Sequence, residues 1–166
     1  FGAGLLVNAA FFVYFGSFMF TLTLFLQRGL ALGPLQAGAV FAPMGVAFTL
    51  SALIGQRLAS RHGLGVILSG CLVTGIGLTV LTLRLATAGH SAGLAWIVST
   101  LWLVGFGNGF VLPSLIGIAL RPIPTSYSGA GSGALSSAQQ FASAAGVAGI
   151  GAVFFSIASA SGTLTG

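Results

Sequence analysis

Asn108, Gln139 and Gln140 are the side chains on which the chemistry of this sequence turns. Each is an amide set in an apolar run, and the chain has no Asp or Glu at all. An amide donates and accepts hydrogen bonds but exchanges no proton near neutral pH, so it offers recognition and not acid–base catalysis. Tyr14, Ser17 and Thr21 fall at i, i+3 and i+7 and draw a polar stripe along a Phe-rich segment. Tyr14 is the member best suited to a ligand, since a phenol hydrogen-bonds and stacks on a flat or cationic molecule. Ser17 and Thr21 have a second reading, in which their hydroxyls bond back to carbonyls of their own helix. A further stripe, Ser132, Ser136, Gln140 and Ser143, has Gln139 offset from it, and Trp102 adds another ring face. There is no Ser/His/Asp set and no carboxylate pair; His62 and His90 fall in different loops, and Cys71 stands alone in an apolar run. An enzyme, a disulfide framework, a metal site and a cofactor are therefore not expected.

The elements that must position these groups follow from composition. With 56% hydrophobic and 3% charged residues and a mean hydropathy of +1.10, the chain lacks the charge a soluble domain carries on its surface. It reads as an all-α integral membrane protein whose main partner is the lipid bilayer. Apolar segments at residues 5–26, 35–58, 65–85, 94–120 and 127–157 each come near or above the ~20 residues that a membrane-spanning helix needs. Short connections make consecutive helices antiparallel neighbours. Pro34 suits the first turn of the second helix, and Pro43 with Gly45 is expected to bend it. The +5 charge comes from Arg28, Arg57, Arg61, Arg84 and Arg121, each near the end of an apolar run. Scattered in this way they form interfacial anchors for anionic headgroups and no nucleic-acid stripe. Counted across the bilayer, Arg57, Arg61 and Arg121 outvote Arg28 and Arg84 for the cytoplasmic side. Arg57 and Arg61 are one helical turn apart, and Gly63 and Gly65 permit a tight reversal after them.

The fourth and fifth segments carry the most pattern. In GFGNGFVLP, Gly105 and Gly109 share one face and Gly107 lies nearly opposite, exposing backbone on two sides. Pro113 cannot donate to the carbonyl of Gly109, which leaves an acceptor beside the Asn108 amide at mid-membrane depth. A broken helix with a polar group there points to a transport pathway; the other reading is a Pro-kinked packing helix whose Asn108 bonds a neighbour. The fifth segment holds a Gly129–Gly133 pair and further small residues, Ala142 with Gly146 and Ala145 with Gly149, at the same spacing. Gln139 and Gln140 are costly in a membrane helix unless partnered or solvated, so they either clamp neighbouring helices or meet substrate. If the last two helices pack side by side, these amides come close to Asn108. The candidates for a cavity wall are thus Tyr14, Ser17, Thr21, Trp102, Asn108, Ser136, Gln139 and Gln140. Those for packing or kinking are Pro43, Gly105, Gly107, Gly109, Pro113, Gly129, Gly133 and Gly146.

In order along the chain, LGPLQAGAVFAP (residues 32–43), GQRLASRHG (55–63), GFGNGFVLP (105–113) and SGAGSGALSSAQQFASAAGVAGIGAVF (128–154) resemble the C-terminal half of a major facilitator superfamily transporter. Within it the chain is most similar to the fourteen-span drug:proton antiporters. The resemblance implies a partial major facilitator fold, five transmembrane helices corresponding to core helices seven to eleven. The N-terminal half would then precede Phe1 and the last core helix would follow Gly166. It further implies a multi-pass protein of the cell membrane that exports hydrophobic or cationic small molecules by alternating access in exchange for protons. Arg57, Arg61 and Gly63 would belong to the cytoplasmic loop signature, from which this sequence departs: Ser60 stands where the pattern has Asp, and Leu64 where a basic residue is usual. With no carboxylate in these spans, the coupling proton would be handled by the absent half. Two alternatives stand beside this reading, a metabolite or sugar facilitator of the same superfamily and a non-transporting membrane subunit whose glycine faces serve helix assembly.

Overall fold

A computed structural model of the chain describes residues 2–88 and 93–160, the side chains of residues 59–62, 88, 158 and 160 excepted. The described residues form α1 (Gly2–Leu24), widened at its end into a π turn (Phe25–Gly29), α2 (Pro34–His62), α3 (Leu64–Ala88), α4 (Leu94–Leu120) and α5 (Ser128–Ala160), which a single 3₁₀ turn (Thr125–Tyr127) precedes. All five helices are long and apolar enough to cross a membrane. Two residues beyond the π turn, Ala31 has a φ of 52°, which lets the Leu32 amide donate back to the Leu26 carbonyl at 3.1 Å. Pro34 opens α2 where its missing donor does no harm, and the Gln36 side chain accepts from the Gly33 amide at 3.2 Å. Helix α2 passes through Pro43 and continues beyond Leu58 to His62. His62 therefore closes a helix and does not lie in a loop, because the left-handed residue that reverses the chain is the next one, Gly63, with φ 49°.

The chain divides into two units, each described on its own terms. In the unit Leu26–Ile118, α4 packs on both α2 and α3. Its Gly105 lies against Met44 and its Gly109 against Phe48 and Ser51, while Gly107 meets Gly70 and Thr74 of α3. Contacts with α2 advance together along both helices, so that pair is parallel; Gly70 meets Val111 and Gly77 meets Val104, so α3 runs antiparallel to α4. The core of this unit is Met44, Ala47, Ile97, Leu101, Val104 and Val111, all buried. Aliphatic side chains on α2 and α3 point the other way: Leu53 is 61% exposed and Leu72 67%. Such an inversion of the soluble pattern is what a lipid solvent permits.

The second unit takes Phe1–Phe25 and Ala119–Gly166. Here α1 and α5 lie side by side and parallel, Gly16 against Ser143, Gly146 against Val13 and Ser17, and Gly151 against Phe20. Leu22, Ala119, Leu135 and Ala142 are the buried apolar side chains among the described residues of this unit. Hydroxyls in both units mostly satisfy their own helices, as in Thr23 to Met19 at 2.7 Å and Ser99 to Ala95 at 2.9 Å. That habit removes the cost of a polar group in lipid and makes the exceptions informative.

Candidate functional site

One exception is Thr74. Its hydroxyl donates to Oδ1 of Asn108 at 3.2 Å, bridging α3 and α4, and Asn108 is 0% exposed. The bridge depends on Gly107 lacking a side chain: a Cβ there would lie 2.7 Å from the Thr74 amide nitrogen and 2.8 Å from the Gly70 carbonyl. Small residues let two backbones approach, and the approach brings a short hydroxyl within reach of an amide. Asn108 here bonds a neighbouring helix, the contact that the packing reading of this segment expects. Helix α4 is continuous from Leu94 to Leu120 through Pro113, so the expected break is absent. Losing one backbone hydrogen bond does not break a helix that is held by neighbours along two faces.

The second exception is a pair in the other unit. Gln139 of α5 donates through Nε2 to Oδ1 of Asn8 in α1 at 3.0 Å. Asn8 is 0% exposed, and among the described residues its Nδ2 finds no hydrogen-bond partner. Sequence reading passed over Asn8, although the rule that singled out Asn108, an amide inside an apolar run, applies to it equally. Thr74 carried no such signal, since Thr79, Thr82 and Thr87 in the same helix all bond back to their own carbonyls. Only the facing helix distinguishes it.

The other candidates disperse. Thr21 donates to the Ser17 carbonyl at 2.8 Å, the self-satisfied alternative. Ser17 sits beside Gly146, where a Cβ would come within 2.9 Å of its hydroxyl oxygen. Tyr14 lies among rings, with centroids 5.7 Å from Phe11 and 6.0 Å from Phe18. Trp102 stacks on Phe106 at 5.6 Å, and Phe106 meets Phe110 edge-on at 5.0 Å, forming an aromatic ladder along α4 in which Trp102 is exposed and the two Phe rings are half-buried. Gln140 and Ser136 are exposed on α5. A Cβ on Gly129 or Gly133 would meet nothing within 4 Å among the described residues, in contrast to Gly105, Gly109 and Gly146. Arg57 is exposed and borders an open groove of about 520 Å³ with Leu53, Ile54 and Gln56. The side chain of Arg61 and all of His90 lie outside the described residues. No group of three or more metal-ligating side chains occurs among the described residues.

What the arrangement can do is bind and pack. One amide–hydroxyl pair and one amide–amide pair are set in apolar seams, and glycine notches allow helices to approach one another closely. This is the class of a packed bundle of membrane-capable helices, and comparison with known proteins makes it specific. The family model described as Major Facilitator Superfamily matches residues 2–147, and the chain belongs to that superfamily. It is 31% identical over 161 residues to the probable actinorhodin transporter of Streptomyces coelicolor, covering 95% of this chain and 27% of that protein. It is 30% identical over 148 residues to the puromycin resistance protein of Streptomyces alboniger, covering 89% of this chain and 29% of that one. The chain thus spans less than a third of the length of either relative. No solved structure matches it. Its five helices are part of a major facilitator fold in a multi-pass protein of the cell membrane.

Proposed function

We propose that the chain is one portion of a proton-coupled exporter of hydrophobic or cationic small molecules, working by alternating access. The observation that carries this reading is the match along nearly the whole chain to one protein named for transport of actinorhodin and another named for resistance to puromycin. The geometry supports it. Within the unit of α1 and α5, the exposed amide of Gln140 and the half-buried ring of Tyr14 offer hydrogen bonds and a π face without fixed charge, which suits varied lipophilic guests better than a single polar metabolite.

Energy coupling belongs elsewhere in this proposal. A proton-driven carrier uses an embedded group that gains and loses a proton, and a chain without Asp or Glu has no carboxylate to offer. The five helices correspond, in this reading, to core helices seven to eleven, and the coupling carboxylates reside in the remainder of the protein. The exposed Gln140, Ser136, Gly129 and Gly133 on α5 support that division, because a polar, notched face is costly against lipid and calls for protein or water.

The test is transport by the full-length protein in proteoliposomes. An imposed pH gradient should drive accumulation of a lipophilic cation, and a protonophore should abolish it. Folded protein that moves no member of a panel of lipophilic cations and neutral aromatics would overturn the proposal, and uptake of a polar metabolite insensitive to the gradient would install the facilitator alternative.

A further inference from the structure

Arg84 and Trp96 form a feature that neither packing nor export explains. Arg84 lies near the end of α3 and Trp96 near the start of α4, and the guanidinium carbon stands 4.5 Å from the centroid of the indole ring. Both side chains are exposed, Trp96 by 40%. A carboxylate counter-charge is unavailable anywhere in the sequence, which has no Asp or Glu. Among the described residues no acceptor takes a hydrogen bond from the guanidinium, which the indole faces. Exposed Leu83, at 61%, and Leu94, at 45%, adjoin the pair in sequence and make the surroundings apolar.

We infer that Arg84 and Trp96 form a binding site for the phosphate of an anionic phospholipid at the membrane surface. A guanidinium presents a planar fork of donors matched to phosphate oxygens, and stacking on the indole preorganises that fork. The pair sits where the ends of two membrane helices approach the headgroup layer, the depth at which Trp and Arg are enriched. An acyl chain lying along Leu83 and Leu94 would supply the apolar part of the contact. The inference requires only that these helices span a bilayer and is independent of what the protein carries.

Native mass spectrometry of the full-length protein, titrated with phosphatidylglycerol or phosphatidylcholine, tests it. Wild type should retain phosphatidylglycerol in preference to phosphatidylcholine. Arg84→Gln should weaken that binding about fivefold, the worth of one basic residue at a membrane surface. Trp96→Ala should weaken it about two- to threefold through loss of the stacking face, and Trp96→Phe should restore most of the loss. Because Trp96→Phe keeps a ring in place, it separates lipid binding from a folding defect. Equal phosphatidylglycerol retention in wild type and Arg84→Gln would overturn the site, placing the counter-charge of Arg84 in another part of the protein. Displacement of the lipid by millimolar inorganic phosphate would also overturn it, in favour of a soluble anion.

Discussion

Helices α4 and α5 carry the same small-residue spacing and use it differently. Gly105 and Gly109 of α4 are filled notches, with Met44, Phe48 and Ser51 of α2 seated in them, whereas Gly129 and Gly133 of α5 face open space among the described residues. Thirteen residues beyond Gly133 on the same helix the notch is filled again: Gly146 takes the backbone of Val13. A pair of glycines one turn apart therefore states that a backbone is available for close approach, not that anything in this chain approaches it. The amides repeat the lesson. Asn108 and Asn8 are equally buried and each accepts a hydrogen bond at Oδ1, from Thr74 and from Gln139, yet among the described residues the Nδ2 of Asn8 has no partner.

Substitutions can break this comparison. Gly107→Leu should have the largest effect, since its Cβ alone collides with Thr74 and the rest of the side chain would drive α3 from α4. Overpacking at this level costs about 3 kcal/mol or more, read as loss of monodisperse, thermally stable protein. Gly146→Ala should follow, because even a methyl group collides with the Val13 carbonyl; about 1–3 kcal/mol is expected in the same assay. Asn108→Ala should cost about 1 kcal/mol by removing one interhelical hydrogen bond and leaving a small void, and Thr74→Val somewhat less.

The smallest effects sharpen the contrast. Asn8→Ala should stay within about 0.5 kcal/mol of wild type, because it removes an unsatisfied buried donor along with the bond to Gln139. Gly133→Ala should be neutral to slightly stabilising for folding, since its Cβ meets nothing here and Ala is the better helix former. If Gly133→Ala leaves the fold unchanged but slows transport in the full-length protein, the open face is used by elements outside this chain. Equal destabilisation by Gly133→Ala and Gly146→Ala would remove the distinction between filled and open notches.

Much of the fold was legible because membrane helices announce themselves by length and hydropathy. Helix α4 begins at Leu94 and ends at Leu120 as the apolar run predicts, and Pro34 and Gly63 mark their turns through backbone rules that act locally. The opposed faces of Gly105, Gly109 and Gly107 were likewise legible, since helical periodicity alone sets them. Less legible was the polar chemistry. Thr21 and Thr74 are both threonines in apolar helices, yet one bonds its own backbone and the other a side chain 34 residues away. The helix end at His62 and the continuity of α4 through Pro113 also escaped local reading, because each depends on what the surrounding chain supports.

The amino-acid sequence by itself determined that five stretches are long and apolar enough to cross a bilayer, which faces are notched, and that no Asp or Glu lies among them. Those properties follow from hydropathy, periodicity and composition, which need no neighbour. Only the tertiary structure decided that Asn108 belongs to Thr74, that Gln139 belongs to Asn8, and that one pair of notches is filled while another stands open. A hydrogen bond between helices exists only when two backbones come close enough, and that distance is a property of the packed unit, not of either helix alone.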